Sequence, residues 1–409
     1  MSYTAIGQLI AIVALPMITR IFTPEQFGLF SFFVTAVTLI GTIATGMYHR
    51  VILITKKHDE RIQILYLVFL LSLIAAFFSW LGIYVLISFG FLESWQINQV
   101  SNSVIFILAI FFYANSQSLY VFLNIYGSYN VMGISTVLRD FFAASGKLLL
   151  GYLGIVNFGM IYAFLGSQII FSFLMAVAVI KILSKHKIRF NLSLTNLFTL
   201  AKKYIRFPTT ALPTDFIALF SIQAPLLFLG PLFGAKVLGF YALARSVAGV
   251  PAAFLGGAIG SVFQKEAADQ FNKTGNCSKV YKKFAVTIFT LILLPCLLLM
   301  AFSQQLFEIV FGDQWSTAGA YCAILAPLYC FRLISKPLGF VFQLTKHLRF
   351  DFLLVSIFVI ASVFSLGLGY LMNSSELTIY LISITHSCCY LIYLYFGYRI
   401  SQGKRYKTG

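Results

Sequence analysis

The sequence predicts an all-α polytopic membrane protein, with twelve transmembrane helices in two six-helix lobes related by a parallel repeat. Three observations carry this prediction. Of the 409 residues, 60% are hydrophobic and 17% aromatic, but only 10% are charged, whereas soluble domains carry about 25% charged residues. The apolar residues gather into runs long enough to cross a bilayer, which takes ~20 residues. Lysine and arginine then concentrate in alternate loops between those runs. Ordinary soluble globular, disordered, collagen-like and disulfide-scaffold classes are excluded.

The runs are 2–19, 28–48, 63–89, 103–124, 136–156, 158–182, 209–232, 237–263, 284–303, 317–342, 351–372 and 377–400. The first contains Pro16 and has no basic leader, so a cleaved signal peptide is not expected. The fifth carries Arg139, Asp140 and Lys147, the seventh Asp215, the eighth Arg245, and the tenth Arg332 and Lys336. In the eighth, Gly256 and Gly260 form a G-x-x-x-G face that allows close helix packing. The six cysteines have no C-x-x-C pair and no metal-ligand spacing with the five histidines, and read as small core residues. No metal site and no cofactor are expected.

Loop charge sets the orientation. With the N-terminus in the cytoplasm, the cytoplasmic loops hold 22 lysines and arginines and the outer loops only Arg20 and Lys236. Both termini are therefore expected in the cytoplasm. The formal charge of +17 would suggest nucleic acid in a soluble chain; here the cations follow topology, and no nucleic-acid partner is expected. The basic stretches 183–208 and 264–283 either lie as amphipathic helices on anionic lipid or only set topology. The longest outer loops, near 90–102 and 304–316, are short. Domain boundaries follow: an N-lobe at 1–183, a basic linker at 184–208, a C-lobe at 209–400 and a tail at 401–409.

A shift of 211 positions lays IFTPEQFGLFSFF (21–33) on LFGAKVLGFYALA (232–244), matching Phe22, Phe27, Gly28 and Phe30 with Phe233, Leu238, Gly239 and Tyr241. A weaker echo pairs 123–135 with 342–354. Six spans per half make the halves parallel, related by an axis along the membrane normal, with a substrate cavity expected between the lobes.

Five cations lie inside runs, against the acids Asp140 and Asp215. Each intramembrane charge costs ~2.5–3.5 kcal/mol even on lenient scales, so the five face water, pair, or snorkel. Arg332 and Lys336 are four apart and share a face, as do Asp140 and Lys147 at seven. Arg139 either snorkels or pairs with Asp140. Asp215 is either an ion-coupling group or a structural partner. Pairing both acids leaves three positive charges, a surplus suited to an anionic substrate such as phosphate. No nucleotide-binding loop, G-x-S-x-G, H-E-x-x-H or paired-carboxylate motif is present. ATP is not expected as the direct energy source, and enzymatic activity is not expected.

The stretch LPMITRIFTPEQFGLFSFF (15–33) resembles the first hairpin of the Wzx-type polysaccharide flippases of the MOP superfamily. Their pattern P-x-x-[ST]-R-[LI]-[LF]-[ST]-P-x-x-[FY]-G-x-[FY] is matched by Pro16, Thr19, Arg20, Pro24, Phe27, Gly28 and Phe30. The segments TGMYHRVILITKKHDE (45–60) and FGAKVLGFYALA (233–244) are similar to the family's next loop and to the start of its second half. The resemblance implies a MOP-type transporter fold, alternating access and a cationic lumen. Its implied substrate is a polyprenyl-diphosphate-linked oligosaccharide, as in O-antigen synthesis, moved across a bacterial inner membrane among membrane lipids. A polysaccharide polymerase and chain-length machinery are the implied partners. Related lipid II flippases carry cavity arginines at places similar to Arg20, Arg50 and Arg245. The candidate substrate-binding residues are thus Arg20, Arg50, Lys147, Arg245, Arg332 and Lys336, with Asp140, Asp215 and Arg139 for pairing or ion coupling. Two departures stand out: the start is shorter than the family's, and Gln223 occupies span seven where a charged group is sought. The alternatives are a drug or cation antiporter with an acidic lumen, a lipid II flippase, and a membrane-embedded glycan-processing enzyme.

Overall fold

The computed structural model describes residues 3–88, 104–185 and 194–403. The expected outer loop 90–102, Lys187 and Arg189 of the basic stretch, and 404–409 of the tail lie outside the described residues. Among the described residues all regular structure is helical. In chain order the helices are α1 (Tyr3–Ile21), α2 (Pro24–Ala44), α3 (Tyr48–Ile54), α4 (His58–Ser88), α5 (Val104–Ile125), α6 (Tyr129–Tyr152), α7 (Gly159–Lys185) and α8 (Leu194–Lys203). A π-helical turn at Phe207–Ala211 leads into α9 (Leu212–Phe233) and α10 (Ala235–Ala248). Then follow α11 (Val250–Thr274), α12 (Ser278–Phe311), α13 (Ser316–Leu338), the short α14 (Phe340–Leu344), α15 (Leu348–Leu371) and α16 (Ser375–Ser401).

Among the described residues, each of the twelve apolar runs is mostly helical, and ten segments are long and apolar enough to span a membrane. The other two runs are those with a chemical reason to fall short. Helix α6 carries Arg139, Asp140 and Lys147 within 24 residues. The eighth run divides at Gly249 into α10 and α11, with Pro251 in the first turn of α11; proline has no N–H to continue the ladder.

Local chemistry fixes the helix starts. Thr23 and Gln26 form a reciprocal capping box ahead of α2, with Pro24 at its first position. The equivalent start in the second half, α10, uses Gly234 at φ 93° instead, a conformation glycine adopts without steric cost. Gly28 and Gly239 are both buried in these first turns. Gly256 is different from expectation: a Cβ there meets nothing within 4 Å, and one at Gly260 meets only Pro337, at 3.8 Å. Close glycine packing occurs elsewhere, where α6 crosses α1: added Cβ atoms at Gly7 and Gly133 would overlap Asp140 and Tyr3.

The chain forms two compact units, Met1–Leu219 and Phe220–Gly409. The first has a core around Val51, Ile52, Phe122, Leu123, Phe171 and Met175, into which Leu197 and Leu200 of α8 also pack. Helix α8 falls in the stretch expected as a linker, yet it is fastened to this unit. The Tyr48 hydroxyl donates to the Ala201 carbonyl at 3.0 Å, and Lys203 pairs with Glu60 at 3.1 Å. That hydrogen bond holds the Lys203 ammonium above the usual lysine range. The second unit centres on Phe263, Tyr281, Leu333, Ile334, Phe342 and Ile400. Its α12 and α16 are tied where the Cys277 N–H donates to the Ser401 carbonyl at 2.9 Å.

Candidate functional site

In the first unit the expected residues fall into two ion pairs, with Lys147 and Arg20 outside them. Arg50, on α3, forms an ion pair with Asp215 at the start of α9. Arg139 donates through Nε to Asp140 at 2.9 Å, with a second guanidinium contact at 2.8 Å, and lies 4.9 Å over the Phe171 ring. Lys147 sits 4.3 Å over Phe30 of α2, a ring in edge contact with Phe164 of α7. Arg20 is exposed in the last turn of α1, away from these sets in sequence.

The second unit gathers its cations more tightly. Arg245, in the last turn of α10, donates Nη1 to the Ile222 carbonyl at 3.0 Å and Nη2 to the Gln223 side-chain oxygen at 2.8 Å. Gln223 therefore holds the guanidinium in place without neutralising it. Arg332 of α13 lies 5.5 Å over the Tyr329 ring, with Tyr241 and Tyr390 also bearing on its charge. His386 completes this side of α16: its imidazole bonds Ser362 at 3.1 Å and the Ile382 carbonyl at 3.0 Å. Lys336, one turn beyond Arg332, is exposed.

Among the described residues, no acidic side chain forms an ion pair with Lys147, Arg245, Arg332 or Lys336, although the Asp140 carboxylate acts on Lys147 from further off. Magnitudes explain how such charges persist. A desolvated cation–π contact contributes about 2 kcal/mol, close to the cost of ~2.5–3.5 kcal/mol for a cation in the bilayer. Aromatic partners thus offset burial while leaving the positive charge available to an anion.

Sequence reasoning missed the tyrosines, although the signal was there. Tyr241 precedes Arg245 by four, Tyr329 precedes Arg332 by three, and His386 precedes Tyr390 by four; each pair shares a helix face. It also missed Asp351, which lies in the first turn of α15 and accepts the Tyr393 hydroxyl at 2.8 Å. No metal-binding cluster of three or more His, Cys, Asp or Glu exists among the described residues.

Residues 17–320 match the family described as "Polysaccharide biosynthesis protein". The chain belongs to that family. No curated protein sequence matches it. Among solved structures, the family member resembles the lipid II flippase MurJ in an inward closed conformation. That match has a TM-score of 0.75 at 12% identity, covering 96% of this chain and 86% of the other. An inward-facing multidrug resistance MATE family transporter of the MOP superfamily gives a TM-score of 0.71 at 15% identity, over 98% and 95%. A MOP superfamily transporter from Pyrococcus furiosus, described by a binding pocket of reverse polarity, gives 0.64 at 16%, over 99% and 95%. At these identities the likeness shows the fold: this polysaccharide biosynthesis protein is a multi-pass membrane protein with the MOP transporter architecture.

Proposed function

We propose that the protein is a flippase that moves a polyprenyl-diphosphate-linked oligosaccharide, an O-antigen unit or similar, from the cytoplasmic to the periplasmic leaflet. It works by alternating access in a bacterial inner membrane, with both termini cytoplasmic. The observation that carries this reading is the set of cations at membrane depth held by aromatic rings and a neutral amide instead of by acids. Guanidinium forks match phosphate oxygens, and in a low-dielectric setting an unpaired guanidinium attracts an anion strongly. The family assignment supports the glycan half of the substrate. A polysaccharide polymerase and chain-length machinery are the proposed consumers of the product outside.

The antiporter alternative needs acids at membrane depth open to a cation. Of the acids on which it would rest, Asp140 and Asp215 carry arginine partners and Asp351 accepts the Tyr393 hydroxyl; the two arginine pairs favour the anion reading.

The test is the sidedness of the lipid-linked repeat unit in cells lacking the gene, with and without its restoration. Accumulation on the cytoplasmic face that clears on restoration is the expected result. Arg245→Ala, Arg332→Ala and Lys336→Ala are each expected to abolish export while the protein still folds and inserts. Normal surface glycan in all three variants would remove the basis of the reading.

A further inference from the structure

Between α4, α5 and α7 the first unit holds a pocket of about 520 Å³ that none of the candidate cations lines. This lies within the ~300–1,000 Å³ range of small-molecule sites. Its walls are Tyr66 and Phe69 of α4, Phe111 and Phe112 of α5, and Phe173 of α7. The few polar groups that line it are turned to their own neighbours. Ser118 donates to the Asn115 carbonyl, Ser172 to the Phe112 carbonyl, and Asn115 to Ser72 and to the Phe111 carbonyl. The pocket therefore offers hydrocarbon and ring faces and little hydrogen-bonding capacity. Phe69 and Phe173 are exposed at its margin, on helices that both qualify as membrane spans, so its mouth faces the acyl region and a hydrocarbon chain can enter sideways.

The chain segment leading into one lining residue of this pocket is charged. Ile62, which lines it, is in the first turns of α4. Beside it Arg61 donates to the Thr55 carbonyl at 2.8 Å and lies 5.8 Å over Tyr126. Lys56 and Lys57 are exposed immediately before α4. Of the nearby acids, Glu60 is taken by Lys203 and Tyr204, leaving Asp59 against three cations. An apolar slot whose wall helix α4 begins at a basic segment complements an amphiphile with one anionic head and a hydrocarbon chain.

We propose that this pocket seats the phosphate-proximal isoprene units of a polyprenyl phosphate lipid, with the phosphate against Lys56, Lys57 and Arg61. The inference rests on the flippase reading for the choice of lipid. It places the tail in a site of the first unit instead of leaving it free in the bilayer. A methyl-branched, unsaturated chain presents methyl groups and double bonds to the five ring walls, contacts that a straight methylene chain makes less fully. Holding the first isoprenes would also orient the head group as the lipid arrives, before the glycan is committed to transport.

The experiment uses the full chain in phosphatidylcholine nanodiscs with two diazirine probes of equal charge, farnesyl phosphate and a phosphatidic acid. The isoprenoid probe is expected to label peptides covering Phe111–Leu119 and Ile169–Ala176. Unlabelled farnesyl phosphate should displace it, and equal phosphatidic acid should not. Ala176→Trp, which fills the pocket, and Ile169→Trp, at its lipid-facing edge, should each lower labelling several-fold with an unchanged melting temperature. Equal labelling and equal competition by phosphatidic acid would show an ordinary annular lipid position and overturn the proposal, as would absence of labelling. Failure here with export intact leaves the flippase reading standing. Specific labelling in a protein that does not alter sidedness sinks that reading and, with it, the role given to the pocket.

Discussion

His49 shows how a single buried side chain acquires a pH-dependent contribution. It is 8% exposed, lies in α3 outside the membrane spans, and its Nδ1 meets the Thr45 hydroxyl at 2.9 Å. Burial, aided by the Arg50 charge, lowers its pKa from 6.5 to about 4. Between those values the unfolded chain binds the proton and the folded one does not. Stability is therefore complete above pH 6.5 and falls as pH drops toward 4, by about 3 kcal/mol in all. His49→Gln removes the titrating group, so its melting temperature should be flatter across this interval than that of the parent in the same nanodiscs. Parallel curves would assign the acid sensitivity to another group. Cys277 behaves in the opposite sense: burial pushes its thiol up to about 11, which leaves it protonated and unreactive at neutral pH.

At the scale of elements, stability depends on how closely two helices approach. The tightest glycine contact against backbone is where α13 meets α12: a Cβ at Gly319 would stand 2.6 Å from the Gln304 Cα and 2.7 Å from the Ser303 carbonyl oxygen. Ser303 in turn donates its hydroxyl to the Gly319 carbonyl at 2.7 Å. Backbone cannot swing aside as a side-chain end can, so Gly319→Ala must separate the helices and stretch that bond. Overpacking of this kind costs about 1–3 kcal/mol. The variant is expected to melt lower than the parent, whereas Gly367→Ala, where a Cβ meets nothing within 4 Å, should be close to neutral. Equal melting of all three proteins would mean that this contact relaxes freely.

At the scale of the whole molecule, the prediction concerns transport. Arg50 and Asp215 are joined across most of the first unit's sequence, with both side chains partly exposed, 48% and 29%. Exposed pairs contribute about 0–1 kcal/mol to stability, so the pair matters more for what it fixes than for folding. Helix α8, held by Tyr48 and Glu60, and the first turn of α9, held by Arg50, keep the inter-half segment on the first unit. Arg50→Asp alone and Asp215→Arg alone are each expected to impair surface glycan export while leaving melting nearly unchanged. The combined reversal should restore export in part. If the double variant is as inactive as the singles, Arg50 acts on substrate directly and not through Asp215.

The sequence by itself determined the class, the helical runs and the loop-charge bias, because these follow from composition and period alone. A run of ~20 apolar residues has few options in a bilayer other than a helix. It also located the charged residues, since any cation amid apolar neighbours stands out. What it left open was the partner of each charge. Arg139 with Asp140 was legible as a neighbouring pair, but Arg50 with Asp215, Lys147 over Phe30, and Arg245 on Gln223 join residues far apart in the chain. The break at Gly249–Pro251 and the fastening of α8 were likewise decided by packing. Hydropathy is a local sum, read one window at a time. Whether a buried cation is neutralised by an acid or held open by a ring depends on which helices touch, and tertiary structure alone decides that.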